Sequence, residues 1–373
     1  MKIETLAIHA GRAPDPATGA VREPIHLSTT FERGADGGFP HGFEYVRDAN
    51  PNRRMLEECL RALEGGAEAI AFASGSAAAK CLVDALPPEL PRRVLVCDDI
   101  YFGIRELLAE HGGFEVLTVD MTDLQKVRRL CRKSAIGLVW LESPTNPLAK
   151  VIDIARMAEI AHDAGARLVV DNSWATPVLQ QPLALGADLV VHSLTKYIGG
   201  HSDLMAGMIV SRAQDDHATA IRRLQKLNGA VPSPFDCWLA LRGVQSLPYR
   251  VRAHCGNAQA VAIYLDRHPA VARVHYPGLA DNPGNAVARQ QMRGYGGILS
   301  FQVHGGAAEA MAVAAAVTLI ARGTSFGGTH TLIEHRASIE GPGSPVPTAL
   351  LRLSVGIESA EELLADLAQA LHA

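Results

Sequence analysis

The chain has 373 residues, of which 48% are hydrophobic and 20% charged, with a formal net charge of −4. That length and composition suit a soluble protein of about two domains with no need of disulfide staples. The charge balance offers no basic surface for nucleic acid. No apolar run is long enough to span a bilayer, and the N-terminus, with charges at Lys2, Glu4 and Arg12, has no apolar signal core, so a cytoplasmic protein is expected.

Residues 1–50 are rich in Gly, Pro and Thr without sustained periodicity, and read as an extended arm. A helix then starts at Asn50-Pro51, a good N-cap followed by proline at the first helical position. Met55, Leu56, Cys59, Leu60 and Leu63 give it one apolar stripe, and Gly65-Gly66 ends it. Short apolar runs follow at Ala69–Ala73, Val94–Cys97, Gly137–Leu141, Leu168–Val170 and Asp188–Val191, with helical stretches between them. Continuous runs of this length are strands buried on both faces of a parallel sheet, and the repetition predicts a doubly wound α/β domain over about 55–225.

The Gly/Pro/Ser-rich segment Lys226–Asp236 is a candidate boundary. Beyond it the pattern predicts a long helix to about His268, a strand near Ile298–Val303 and an Ala-rich helix over Ala307–Ala321. A strand at Leu350–Val355 and a last helix opened by a Ser359–Glu362 capping box follow. Gly341–Pro347 reads as a surface loop. The six cysteines, Cys59, Cys81, Cys97, Cys131, Cys237 and Cys255, show no CxxC spacing. They read as reduced core thiols, and no metal site is implied.

Ligands of open α/β sheets bind beyond the carboxyl ends of the strands. The residues there are Ser74-Gly75-Ser76, then Asp98 to Tyr101, Glu142 to Pro147, Asp171-Asn172, and His192 to Lys196. Gly75 and Ser76 open a helix whose N–H groups suit an anion, and the hydroxyls of Ser193 and Thr195 add donors. GxGxxG and GxxxxGK[ST] are both absent, which excludes a dinucleotide fingerprint and a P-loop. Only seven lysines occur, and Lys196 follows a buried strand, where burial would lower its pKa and free the amine for imine formation. Asp171, at a strand end, suits a protonated pyridine nitrogen, and Tyr101 suits a flat ring. Each has an ordinary reading alone: a turn, a surface lysine, an N-cap, a packed ring. Together they are the signature of a pyridoxal phosphate site.

Longer stretches carry a resemblance. PIHLSTTF at 24–31, EYVRDANP at 44–51, SGSAAA at 74–79, ESPTNP at 142–147, HSLTKYIGGHSD at 192–203 and LLRLSVGIE at 350–358 lie within a match from about Thr5 to the C-terminus. The chain closely resembles the Cys/Met-metabolism group of pyridoxal phosphate enzymes, which includes cystathionine γ-synthases, cystathionine γ- and β-lyases and methionine γ-lyases. The resemblance implies a type I aminotransferase-like α/β fold: a mostly parallel central sheet with helices on both faces, plus a smaller α+β C-terminal domain. It divides the chain into an arm (1–54) serving a neighbouring subunit's site, a cofactor domain (55–230) and a C-terminal domain (231–373).

It further implies that Lys196 carries pyridoxal 5'-phosphate by an imine and, once displaced by the substrate amine, acts as general base at Cα. Gly75, Ser76, Ser193 and Thr195 would hold the phosphate, joined by Tyr45 and Arg47 of a neighbouring subunit in a homo-oligomer, typically a tetramer. Tyr101 would stack on the ring and pass protons to the leaving group, Asp171 would hold the ring nitrogen, and Asn146 would lie near the ring hydroxyl. Arg352 with Ser325 would bind the substrate α-carboxylate. The expected reaction is γ-replacement or γ-elimination on a γ-substituted amino acid, as in cystathionine γ-synthase or γ-lyase. Another γ-substituted amino acid with a sulfur or oxygen leaving group, or cystathionine β-cleavage, is the alternative.

Several pocket positions depart from the family pattern. Glu44 resembles the acidic residue that γ-enzymes use near a distal amine, but Thr324 stands where cystathionine γ-enzymes usually have Glu. Phe102 replaces a common Gly, Gly103 stands where methionine γ-lyases carry Cys, and His330 replaces a usual Glu. The segment Ala337–Pro347 is short and lacks the usual Met-Thr-His stretch, which predicts a remodelled substrate loop.

Overall fold

The computed structural model describes residues 1–372. Its larger sheet holds seven strands: β1 (Glu68–Phe72), β2 (Arg93–Cys97), β3 (Glu115–Val119), β4 (Leu138–Glu142), β5 (Arg167–Asp171), β6 (Leu189–Ser193) and β7 (Gly207–Ser211). Their order is β1-β7-β6-β5-β4-β2-β3. Only β7 runs against its neighbours, β1 and β6. The carboxyl ends of the other six strands therefore share one edge. β4 and most of β1, β2, β5 and β6 are buried, as continuous apolar strands should be between two helix layers.

The smaller sheet has the order β10-β11-β12-β9-β8. Its strands are β8 (Val271–His275), β9 (Ile298–Val303), β10 (Ala321–Arg322), β11 (Leu332–His335) and β12 (Leu350–Ser354), antiparallel except for the β10–β11 pair. It has its own apolar core of residues such as Leu299, Phe301, Leu351 and Leu367. The helix Pro234–Asp266 joins the two sheets: Cys237, Leu241 and Val251 pack in the first core, and Val261 and Leu265 in the second. Two successive turns of it clamp backbone at the site. Arg250 donates to the carbonyl of Tyr197 at 2.7 Å, and His254 Nδ1 meets that of Val355 at 2.7 Å.

The helix Pro51–Glu64 starts and stops where the sequence places it. The Asn50 side chain accepts from the N–H groups of Asn52 and Arg53, and Gly65 adopts φ 72°. Four expectations need correction. The arm is not wholly extended, because Ile3–His9 form a helix that buries Ala7. The Ala-rich helix stops at Ala316 rather than Ala321; four β-branched or Leu residues follow it, and Ala321–Arg322 join the sheet instead. Ser359 is the N-cap of the last helix but makes no capping bond; Ser359 and Glu362 are exposed, where solvent can satisfy the free N–H groups. The edge strand β3 and the antiparallel β7 add to the five strands read in this sheet. All six cysteines are free, five of them buried. No helix among the described residues is long and apolar enough to cross a membrane.

Candidate active site

A cavity of about 330 Å3 opens at the carboxyl edge of the larger sheet, and β12 with its flanking segments closes its far side. Residues following β1, β2, β4, β5 and β6 all line it: Gly75 and Ser76, Tyr101, Asn146, Asp171, then Ser193, Thr195 and Lys196. Thr324, Ser325 and Arg352 line it from the smaller sheet. Glu44, Tyr45 and Arg47 do not reach it. They sit in a separate surface hollow, with the Arg47 guanidinium 5.7 Å from the Tyr45 ring centroid.

At one end lies the first turn of the helix Gly75–Asp84. Ser74 caps it by accepting from Ala77 N–H at 3.0 Å, and Gly75 and Ser76 form its opening turn on the cavity wall. The backbone is packed tightly behind this turn. A Cβ at Gly207 would stand 2.2 Å from the carbonyl oxygen of Ser74, so only glycine lets β7 lie against it. Thr195 Oγ1 is fixed beside the turn by donating to the Ala206 carbonyl at 3.3 Å and accepting from its N–H at 3.2 Å.

Asp171 ends β5. Its Oδ1 accepts from Ser173 N–H at 2.9 Å, and burial pushes its pKa up. Glu142 ends β4 in register with Asp171, accepts from Tyr101 N–H at 2.9 Å and is driven well above the usual carboxylate range, first by burial and then by Asp171. Tyr101 precedes the helix Phe102–Glu110, and its ring packs edge-on against Phe102 at 4.9 Å. Gly103 makes that ring position possible, since a Cβ there would come within 2.6 Å of Tyr101 Cε1.

Lys196 Nζ donates to Ser325 Oγ at 2.8 Å. Burial, helped by the nearby Arg352, pulls its pKa down to about 8. Ser325 holds φ 107°, a left-handed strain uncommon outside functional sites. Arg352 is 3% exposed. It donates to Asn146 Oδ1 at 2.9 Å and to the Ser325 carbonyl at 3.0 Å, and pairs with Glu334 Oε1 at 2.8 Å. The antiparallel register of β11 and β12 sets Glu334 opposite Arg352, which makes that pair. Burial lowers the Arg352 pKa to about 10, leaving it charged.

These groups fit pyridoxal phosphate. An open helix N-terminus suits the phosphate, a carboxylate without a cationic partner suits the ring nitrogen, and a partly neutral amine stands across the cavity. Residues 4–372 match the family model for Cys/Met metabolism PLP-dependent enzymes. The chain belongs to this family. It is an enzyme, and its cofactor is pyridoxal 5'-phosphate. A cystathionine gamma-synthase of Mycobacterium tuberculosis (strain ATCC 25618 / H37Rv) is 45% identical over 98% of this chain and 96% of its own. A cystathionine gamma-lyase of Dictyostelium discoideum is 41% identical over 99% and 97%. The crystal structure of metB from Corynebacterium glutamicum superposes with a TM-score of 0.96 at 39% identity, covering 100% and 98% of the two chains. The type I aminotransferase-like architecture expected from the sequence is that of the family.

Of the positions where the sequence departs from the family pattern, Phe102 and Thr324 line the cavity, and Ile339 brings the short 337–347 segment to it. His330 is exposed and lies outside it. Sequence reasoning assigned nothing to Glu142, Glu334 or Arg336. Glu142 stands among the strand-end residues read from the sequence, but without a role. Arg336 and Glu334 follow no motif, and only the pairing of β11 with β12 makes them neighbours of Arg352.

Proposed function

We propose that the enzyme acts at Cγ of a γ-substituted L-amino acid, by γ-replacement or γ-elimination of the cystathionine γ-synthase and γ-lyase kind. The observation that carries this reading is the joint tethering of Lys196 and Arg352 to Ser325. It sets a neutralisable amine beside a fixed guanidinium, as an amino acid's α-carbon chemistry requires. Pyridoxal phosphate, when bound, supplies an electron sink that acidifies the substrate's Cα and Cβ protons.

Arg352 takes the α-carboxylate, for which its planar fork is suited, and Asn146 and Glu334 hold the guanidinium in place. That contact aims Cα at Lys196. Burial, with a pKa of about 8, disfavours the ammonium, so once the substrate amine has displaced it from the cofactor Nζ can accept the Cα proton and deliver it further along the side chain. Tyr101 keeps its phenolic proton, because burial raises its pKa, and can donate it to a group leaving from Cγ. Gly75, Ser76, Ser193 and Thr195 hold the phosphate, Asp171 the ring nitrogen.

Tyr45 and Arg47, turned away from their own cavity, serve that of a second copy, so the working unit is a homodimer or a tetramer built from two dimers, in the cytoplasm. The test is product identity with the cofactor-loaded enzyme. Release of 2-oxobutanoate from L-cystathionine, or formation of cystathionine from an O-acyl-L-homoserine and L-cysteine, supports the reading. Pyruvate from cystathionine moves the reaction to Cβ, and no product from either mixture overturns it.

A further inference from the structure

Arg336 is a guanidinium on the cavity wall that none of the roles above uses. It opens the short helix Arg336–Glu340 directly after β11 and is 1% exposed. Its Nη1 donates to Glu334 Oε1 at 2.9 Å and its Nε to Glu340 Oε1 at 3.1 Å, but Nη2 has no partner. Glu334 does not fill that gap. Arg336 and Arg352 both use its Oε1, and its Oε2 also lacks a partner. Glu340 is shared with Arg105 at 3.1 Å. Three guanidiniums thus divide two carboxylates, with the Lys196 amine close by. A buried donor left unmet is costly, and one that carries charge more so.

The place of Arg336 gives this surplus a direction. Its guanidinium carbon lies 5.2 Å from the Phe102 ring centroid, and Phe102 packs on Tyr101. Arg336 and Arg352 thus converge on Glu334 Oε1 but reach apart from it, Arg336 toward the Tyr101 wall and Arg352 toward Asn146 and Ser325. Phe102 and Ile339, two positions where the sequence departs from the family pattern, line the same cavity as Arg336.

We propose that Arg336 determines specificity by binding an anionic oxygen group, a carboxylate or a phosphate, at the far end of the γ-substituent. This rests on the reading that Arg352 takes the α-carboxylate: a substrate anchored there extends its side chain past Tyr101 toward Arg336. Ligand binding then gives Nη2 its missing acceptor through a small turn of the guanidinium over Phe102.

The test uses three L-amino acids with no leaving group at Cγ: L-norleucine, L-2-aminoadipate and L-2-amino-5-phosphonopentanoate. Each is titrated into the cofactor-loaded enzyme and followed by the visible absorbance of the cofactor. At least one anionic ligand should bind about tenfold or more tightly than norleucine, and which one identifies the group as carboxylate or phosphate. Arg336→Gln should bring all three within about twofold while leaving norleucine unchanged, and Arg336→Lys should keep part of the preference. Equal affinities in the unaltered enzyme overturn the proposal, even if Arg336→Gln fails to fold. Equal weakening of all three ligands by Arg336→Gln overturns it too, assigning the residue to the α-carboxylate or to structure alone. Turnover of L-cystathionine and O-acyl-L-homoserines is scored separately, so loss of the Cγ reading is distinguishable from loss of the anion site.

Discussion

Lys196 and Arg352 meet on one residue: Ser325 accepts the lysine amine on its hydroxyl at 2.8 Å and the guanidinium on its carbonyl at 3.0 Å. Arg352 is buried, and its charge adds to burial in lowering the proton affinity of Lys196.

The pH dependence of the cofactor-free protein follows from the burial of Lys196, to which Arg352 adds. Lys196 falls from about 10.5 in the unfolded chain to about 8 in the fold. Below pH 8 both states are protonated and the fold bears the whole cost of a buried ammonium. Between pH 8 and 10.5 the unfolded chain binds a proton that the fold does not, so stability from this group rises with pH. Lys196→Met should therefore stabilise the cofactor-free protein at pH 7 by up to about 3 kcal/mol, with the advantage vanishing toward pH 10.5. Urea unfolding of both proteins across that range measures it, and a difference constant with pH contradicts it.

Glu334 is the shared anion of two guanidiniums that are 1% and 3% exposed. Removing one partner of a buried pair leaves an uncompensated charge and costs about 3–5 kcal/mol. Glu334→Ala should lose stability on that scale, read as a lower denaturant midpoint at unchanged slope. A loss under about 1 kcal/mol would mean that water already reaches Arg336 and Arg352.

Gly103 leaves room for the Tyr101 ring. The 36% exposed ring can swing away from an added methyl, whereas the backbone cannot. Gly103→Ala should then keep the fold and its melting temperature while weakening pyridoxal phosphate binding about two- to tenfold, through loss of ring stacking worth about 0.5–1.5 kcal/mol. Equilibrium dialysis of the cofactor with circular dichroism separates the two effects.

Tyr45 and Arg47 lie outside the cavity of their own chain. If they complete a neighbour's site, Lys196→Ala and Arg47→Ala chains, each inactive alone, should regain activity when refolded together. Random pairing of equal amounts gives about a quarter of full activity, carried by sites that draw both parts from unaltered positions. Activity no higher than that of the separate variants would overturn the sharing of Arg47 between subunits.

Much of this architecture could be read along the chain. The five strands read in the larger sheet stand out because burial on both faces makes them unbroken apolar runs, and the polar residues that end them fall at one edge by the geometry of parallel strands. β3 is harder to see because it is a partly exposed edge, and β7 because its direction depends on pairing across the sheet. The Gly/Pro/Ser-rich break at 226–236 is real as a helix start, yet the first half of the helix that follows packs in the core of the preceding sheet. Lys196, Asp171 and Tyr101 each follow a strand, so local pattern finds them. Glu334 and Arg336 owe their place to register between β11 and β12 and to a helix of five residues, and nothing local in the sequence encodes that register.

The helix Pro234–Asp266 sets a length as well as a join. Arg250 grips the carbonyl next to Lys196, and His254, one turn on, grips a carbonyl three residues beyond Arg352. Four residues of α-helix advance about 6 Å. The helix thus works as a ruler, fixing the spacing between the backbone that bears the amine and the backbone that bears the carboxylate anchor. Rocking of one sheet on the other would strain both grips, so narrowing of the cavity around a substrate falls to segments outside that frame, such as residues 337–347, and the reacting frame keeps its gauge.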